Sequence, residues 1–222
     1  IERPLVFRNN DLPGVMLASA AQGYAKRFGV LPGRAAVVAT NNDSAYRAAL
    51  DLAASGVNLL ALVDAREKPP ANLAADVLAA GIEVITGSVT MRAVGWKGVR
   101  AVEIATLSGD GKSVSAPGRR IKCDLLAVSG GWSPVVHLMS HKGGRPTYDE
   151  NRQAFVPGDL LGPNQEAVGG CTGDWTDDVP ARELWKVPQP EGGSGKAFID
   201  FQHDVTTKDV ELAHREGYVS VE

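Results

Sequence analysis

No long apolar run, no cysteine framework and no excess of positive charge mark this 222-residue chain. A membrane-spanning helix needs roughly 20 consecutive apolar residues, and none are present, so no membrane partner is expected. No secretory signal opens the sequence. With Cys123 and Cys171 as the only cysteines and no C-x-x-C, two reduced thiols are expected rather than a disulfide scaffold, and the cytoplasm is the expected compartment. A net charge of −3, with 23 Lys and Arg forming no long basic run, excludes a nucleic-acid partner by the same logic. What remains is ordinary globular composition, 44% apolar and 22% charged, in a chain long enough to bury a sizeable core.

The most telling absence is local. Residues 34–66 read as a βαβ unit: an apolar strand over 35–39, an amphipathic helix over 44–54, Gly56, then a second strand over 58–63 ending on Asp64. A dinucleotide-binding unit carries G-x-G-x-x-G at the first turn and an acid about twenty residues on. Here the three glycine places are Thr40, Asn42 and Ala45, while the acid is kept as Asp64. Asn42 puts a side chain where the pyrophosphate backbone approach occurs, and Asp43 adds a negative charge beside it. Both oppose phosphate binding, so the unit reads as scaffold. Asp64 is nonetheless a candidate acceptor for an adenosine ribose; the competing reading is a strand-end carboxylate in a loop, with Arg66 either opposing that role or simply pairing with it.

Around this unit the pattern predicts a helix over 15–28 closed by Gly29, a helix over 72–80 closed by Gly81, and a short strand over 83–86. Strand and helix alternation with short connections implies a parallel sheet with helices on both faces. From Val89 the periodicity changes. Segments 89–94, 99–107 and 113–122, separated by Gly95–Gly98 and Gly109-Asp110-Gly111, predict an antiparallel meander. A buried strand over 124–128 and a Ser129-Gly130-Gly131 turn follow. Fold class is thus α/β, a Rossmann-like sheet plus a meander, of partial FAD/NAD(P)-binding type.

Downstream, residues 142–166 read as a long loop with short strands. Residues 168–174 read as a strand ending in Gly173-Asp174. Prolines and the run 191–195 give residues 179–196 the composition of a linker. A last helix lies within 204–217, capped by Thr206 with Asp209 in a capping box. His137 and His141 share a helical face but have no third ligand, and no metal site is expected. Gly192–Lys196 only partly resembles a Walker loop, with Pro190 and Ala197 at two of its required positions.

These residues resemble a known family. The first seven residues, the degenerate βαβ unit, the segment from Cys123 to Leu138 and GGCTGDW follow the order of the two-dinucleotide-domain flavoprotein fold. Within it, SGGWSPVVHLMSHKGG and AFIDFQHDVTTKDVELAHREGYVSVE resemble the alpha subunit of heterotetrameric sarcosine oxidase, over essentially the whole chain. The resemblance implies an enzyme that oxidatively demethylates sarcosine to glycine with oxygen, forms hydrogen peroxide and passes the one-carbon unit to tetrahydrofolate. It implies NAD, FAD and FMN in the full complex, the other subunits of a heterotetramer as partners, and folate held by a further domain. It also implies that this chain is a central fragment of a longer polypeptide. Its parts would be residues 1–30 (end of a first dinucleotide domain), 31–131 (inserted domain), 132–178 (return to the first domain), 179–196 (linker) and 197–222 (start of the next domain). By the same resemblance Gly173 and Asp174 are the expected cofactor contacts, with Gly170 and Thr172 beside them, and no catalytic residue is expected. Two alternatives stay open: a subunit fragment of an amino-acid or opine dehydrogenase of the hydrogen cyanide synthase type, and a stand-alone nucleotide-binding or interaction module.

Overall fold

The computed structural model describes residues 1–141, 145–158, 164, 166–175, 181–190 and 195–218. Element order begins β1 (Val15–Leu17), α1 (Ala18–Phe28), β2 (Ala35–Thr40), α2 (Ser44–Ala54), β3 (Asn58–Asp64), α3 (Ala71–Ala79) and β4 (Glu83–Ile85). It continues with β5 (Ser88–Gly95), β6 (Val99–Thr106), β7 (Arg119–Ile121) and β8 (Leu125–Ser129), then α4 (His137–Ser140), β9 (Thr147–Asp149) and β10 (Ala154–Val156). A 3-10 turn over Gly169–Thr172 precedes β11 (Phe198–Asp200), β12 (Val205–Thr206) and α5 (Thr207–Arg215).

The parallel sheet runs β1-β8-β2-β3-β4, so β8 returns from the meander to slot between β1 and β2. Because side chains alternate along a strand, each central strand feeds two cores. Val37, Ala39, Val63, Leu126 and Val128 face one way, into a core shared with Val89, Val99, Val102 and Ile104 of the antiparallel β5-β6-β7 sheet. Val38, Leu62, Leu125 and Ala127 face the other way, against α1, α2 and α3. The near-continuous apolar runs of β2, β3 and β8 follow from this burial on both faces. Helices α1 and α2 pack side by side in one core, their buried faces built mostly from alanine (Ala18, Ala21 and Ala25; Ala45, Ala48 and Ala49), small side chains that allow close approach.

The expected strand-helix alternation and meander are present. The covering of the sheet differs from expectation: α1, α2 and α3 all lie on one face, and the meander takes the other. Periodicity gives an element's type but not the side on which a crossover lands. The start of the first helix also differs, since residues 15–17 pair with β8 as a strand before α1 begins. Residues 169–172 form a 3-10 turn rather than the end of a strand. Part of the proline-rich stretch, residues 181–190, lies against the domain, with Leu184 and Val187 in the meander-side core and Lys186 bridged to Val6. Residues 191–194, including the Walker-like start, lie outside the described residues. The capping box on α5 forms as predicted, with Asp209 accepting from the backbone and hydroxyl of Thr206.

Candidate functional site

The crevice at the carboxyl ends of β2, β3 and β8 is where an open parallel sheet of this kind holds a nucleotide. In this chain it is filled by the protein itself. The β2–α2 turn, Thr40 to Asp43, is at most 4% exposed at every position. Asn42, at the middle glycine place, is fully buried. Its Oδ1 accepts from the backbone N–H of Ser44 at 3.1 Å and from the Ser44 hydroxyl at 2.6 Å. Its Nδ2 donates to Asn41 Oδ1 and to both the carbonyl and hydroxyl oxygens of Ser129. A phosphate oxygen ordinarily takes the helix N-terminal amide. Here the Asn42 side-chain oxygen occupies that place.

Two further groups close the crevice from above. The Trp132 indole donates to Ser44 Oγ at 2.9 Å, and its ring lies 6.4 Å from that of Trp175. Residues 181–184 cross the turn: Arg182 N donates to Asn41 O at 2.9 Å, and Asn41 Nδ2 donates back to Arg182 O at 2.8 Å. The Arg182 guanidinium then spans from Ala65 O to Ser108 O and Gly109 O, each at 2.8 Å. One side chain thereby joins the end of β3 to the meander loop.

Asp64 lies at the tip of β3 as expected, but it is 0% exposed. Its carboxylate accepts from the Tyr46 hydroxyl at 2.9 Å, from the Arg66 backbone N–H at 2.8 Å, and from Arg66 Nε and Nη2 at 3.1 and 2.8 Å. Arg66 Nη1 also reaches Asp43 at 2.6 Å. Burial alone would lower the Arg66 pKa, but the bonds and charge of Asp64 and then Asp43 outweigh it, and the net shift is upward. Burial first, and then the Asp64 charge and hydrogen bond, hold the Tyr46 phenol protonated well beyond the ordinary tyrosine range. The pairing alternative for Asp64 is therefore the one formed. A ribose would have to displace a guanidinium to reach this carboxylate.

Gly170, Thr172, Gly173 and Asp174 come together in one short turn, in a network separate from that of Asp64. Gly173 adopts φ +82°, and a Cβ there would meet Arg152 Cδ and Val156 Cγ1, both at 2.9 Å. Gly170 backs onto the Trp175 ring, 3.0 Å from a would-be Cβ. Asp174 is exposed. Its oxygens accept from Thr172 Oγ1 and Arg152 Nη2, each at 2.8 Å, and these bonds, that of Thr172 foremost, lower its pKa. The turn adjoins the crevice mouth through the Trp132–Trp175 contact. An apolar cavity of about 310 Å³ beside β1 contains none of these residues in its wall and offers little for a pyrophosphate.

Asn41 and Arg182 are the closing residues that sequence patterns do not single out, whereas Trp132 follows the Gly130-Gly131 turn and packs there. Arg182 sits 141 positions from Asn41 in a proline-rich stretch, and nothing local in the sequence foretells the contact. Among the described residues no cluster of three or more metal-ligating side chains occurs, and no helix is long and apolar enough to cross a membrane.

Comparison with known proteins follows the same lines. The sarcosine oxidase A3 domain family matches residues 194–222. Over its full length the chain is 35% identical to the sarcosine oxidase alpha subunit of Rhizobium meliloti (strain 1021) and 38% identical to that of Corynebacterium sp. (strain P-1). It spans 24% and 26% of those relatives, about a quarter of their length. Among solved structures, thioredoxin reductase of T. acidophilum is similar in fold, with a TM-score of 0.53 at 13% identity, covering 78% of this chain and 58% of that one.

Proposed function

We infer function from one premise: the chain belongs to the family of sarcosine oxidase alpha subunits, of which it spans about a quarter. We propose that the whole protein oxidatively demethylates sarcosine to glycine, with peroxide formation and one-carbon transfer to tetrahydrofolate, in complex with other subunits. The relatives' shared name favours this reading over an opine-dehydrogenase type. Within that enzyme, this piece is a dinucleotide-fold scaffold without catalytic residues of its own.

The observation that carries the scaffold reading is the self-filled crevice. Asn42 holds the helix N-terminal amide, Arg66 holds Asp64, and Arg182 straps the mouth. NAD does not fit there without unseating a buried ion-pair network. The turn over Gly170, Thr172, Gly173 and Asp174, open to solvent at Gly170 and Asp174 and covered at Gly173 by Arg152 and Val156, fits such a cofactor better, as the half of a site that another domain completes. Asp174 would orient a ribose hydroxyl or a bridging water once Arg152 shares it.

The test is nucleotide content in the assembled oxidase. Asp174→Ala is expected to lower bound NAD at least about tenfold, the loss of a hydrogen bond to a charged group. Asp64→Asn, in enzyme that remains folded by circular dichroism, is expected to retain NAD. Cofactor content that follows Asp64 and ignores Asp174 would overturn the assignment, as would an assembled complex that forms no peroxide from sarcosine.

A further inference from the structure

We propose that a cleft at the start of α5 binds a small multivalent oxyanion, of phosphate or carboxylate type. The cleft holds about 160 Å³ and lies between the main domain and the segment from Gly195 onward. Four cations from separate stretches converge on it: Arg8 from the amino-terminal segment, Lys186 from the crossing strap, Lys196 before β11 and Lys208 in the first turn of α5. Glu211 is the single carboxylate in the same wall. This concentration of positive charge stands out in a chain whose net charge is −3.

The cations are weakly committed to one another's neighbours. Lys186 pairs with Glu211, but the two side chains are 48% and 61% exposed, where such a pair contributes little. Arg8 Nη2 donates to Pro190 O, a neutral acceptor, and Lys196 lies 5.8 Å from the Phe198 ring centroid. Neither Lys196 nor Lys208 is within 4 Å of a carboxylate among the described residues, although the charge of Lys208 acts on Glu211 and that of Lys196 on Asp209. Like charges gathered at a concave wall repel one another and raise the local concentration of anions. The helix end is not the holder, because Asp209 and Thr206 already close it with their capping box. Side-chain cations would do the binding.

The volume sets the ligand size. At about 160 Å³ the cleft accepts one phosphate or a short dicarboxylate, and it is smaller than the roughly 300 Å³ at which drug-sized ligand sites begin. Bound there, an anion would join Arg8 and Lys186 of the domain to Lys196 and Lys208, and so fix α5 onto it.

Titration calorimetry with inorganic phosphate and with glutarate, at ionic strength held constant with sodium chloride, tests this and distinguishes the two sources. Saturable binding of either anion is expected, together with a rise in thermal midpoint. Lys196→Ala/Lys208→Ala, both exposed positions, is expected to weaken binding at least about tenfold with the ligand-free midpoint unchanged. Arg27→Ala, elsewhere on the surface, is expected to bind as the parent does. The absence of saturable heat with both anions, or equal affinity in the double variant, would overturn the proposal.

Discussion

Replacing Arg66 with methionine probes the closed crevice directly. The guanidinium is 5% exposed and bridges two carboxylates, Asp64 at 0% and Asp43 at 4% exposure. Methionine keeps much of the side chain's length and apolar contact and removes the charge. Two neighbouring buried carboxylates then lose the cation that holds them together. Breaking a buried pair by removing one partner typically costs about 3–5 kcal/mol. In a domain of this size each kcal/mol moves the thermal midpoint by about 2–4 °C, so the expected fall is roughly 6–20 °C. Thermal melting followed by circular dichroism measures that fall, and urea unfolding gives the free-energy loss, with the slope of the transition checked for two-state behaviour. Adding Asp64→Asn to Arg66→Met removes one of the carboxylates and is expected to recover part of the loss, because the two sites share one network. A single variant within about 1 kcal/mol of the parent, or a double variant no better than the single, would show that Arg66 does not hold the two carboxylates together.

Three further outcomes follow from the same geometry. Asn42→Ala leaves the Ser44 amide and the Ser129 oxygens without their buried partner and is expected to cost about 1–3 kcal/mol in urea unfolding. Gly130→Ala places a Cβ 2.6 Å from Pro4 O, a backbone atom that cannot swing away, and is expected to lower stability by about 1–3 kcal/mol. The Tyr46 pKa is raised in the folded state, so its contribution is fully present below the unfolded value near 10 and is lost as pH rises beyond it. Stability measured from about pH 9 to 11 is therefore expected to fall more steeply in the parent than in Tyr46→Phe.

Much of the architecture is legible in the sequence because it rests on local rules. Two-face burial makes β2, β3 and β8 continuous apolar runs, Gly29 and Gly81 end their helices with positive φ, and Asp110-Gly111 marks the meander's turn. The loss of the glycines at Thr40, Asn42 and Ala45 is plain in the sequence, and the structure adds what one replacement does: Asn42 Oδ1 takes the Ser44 amide at the start of α2. What the sequence does not disclose is long-range. Whether Asp64 faces a ribose or Arg66 depends on a rotamer. The crossing of Arg182 over Asn41 depends on a chain return of more than a hundred residues, through a stretch whose prolines read as linker. The side of the sheet on which α3 and the meander settle is likewise a property of crossover handedness and packing rather than of any one segment's pattern.

The central claim, that this dinucleotide fold is filled by its own side chains, is tested most directly by titrating the chain with NAD in a calorimeter, alongside a variant carrying Thr40→Gly and Asn42→Gly. No saturable heat is expected at roughly millimolar NAD or below for either protein, because Arg66 still holds Asp64 and Arg182 still straps the mouth. Micromolar binding to the parent chain that disappears in Asp64→Ala would contradict it.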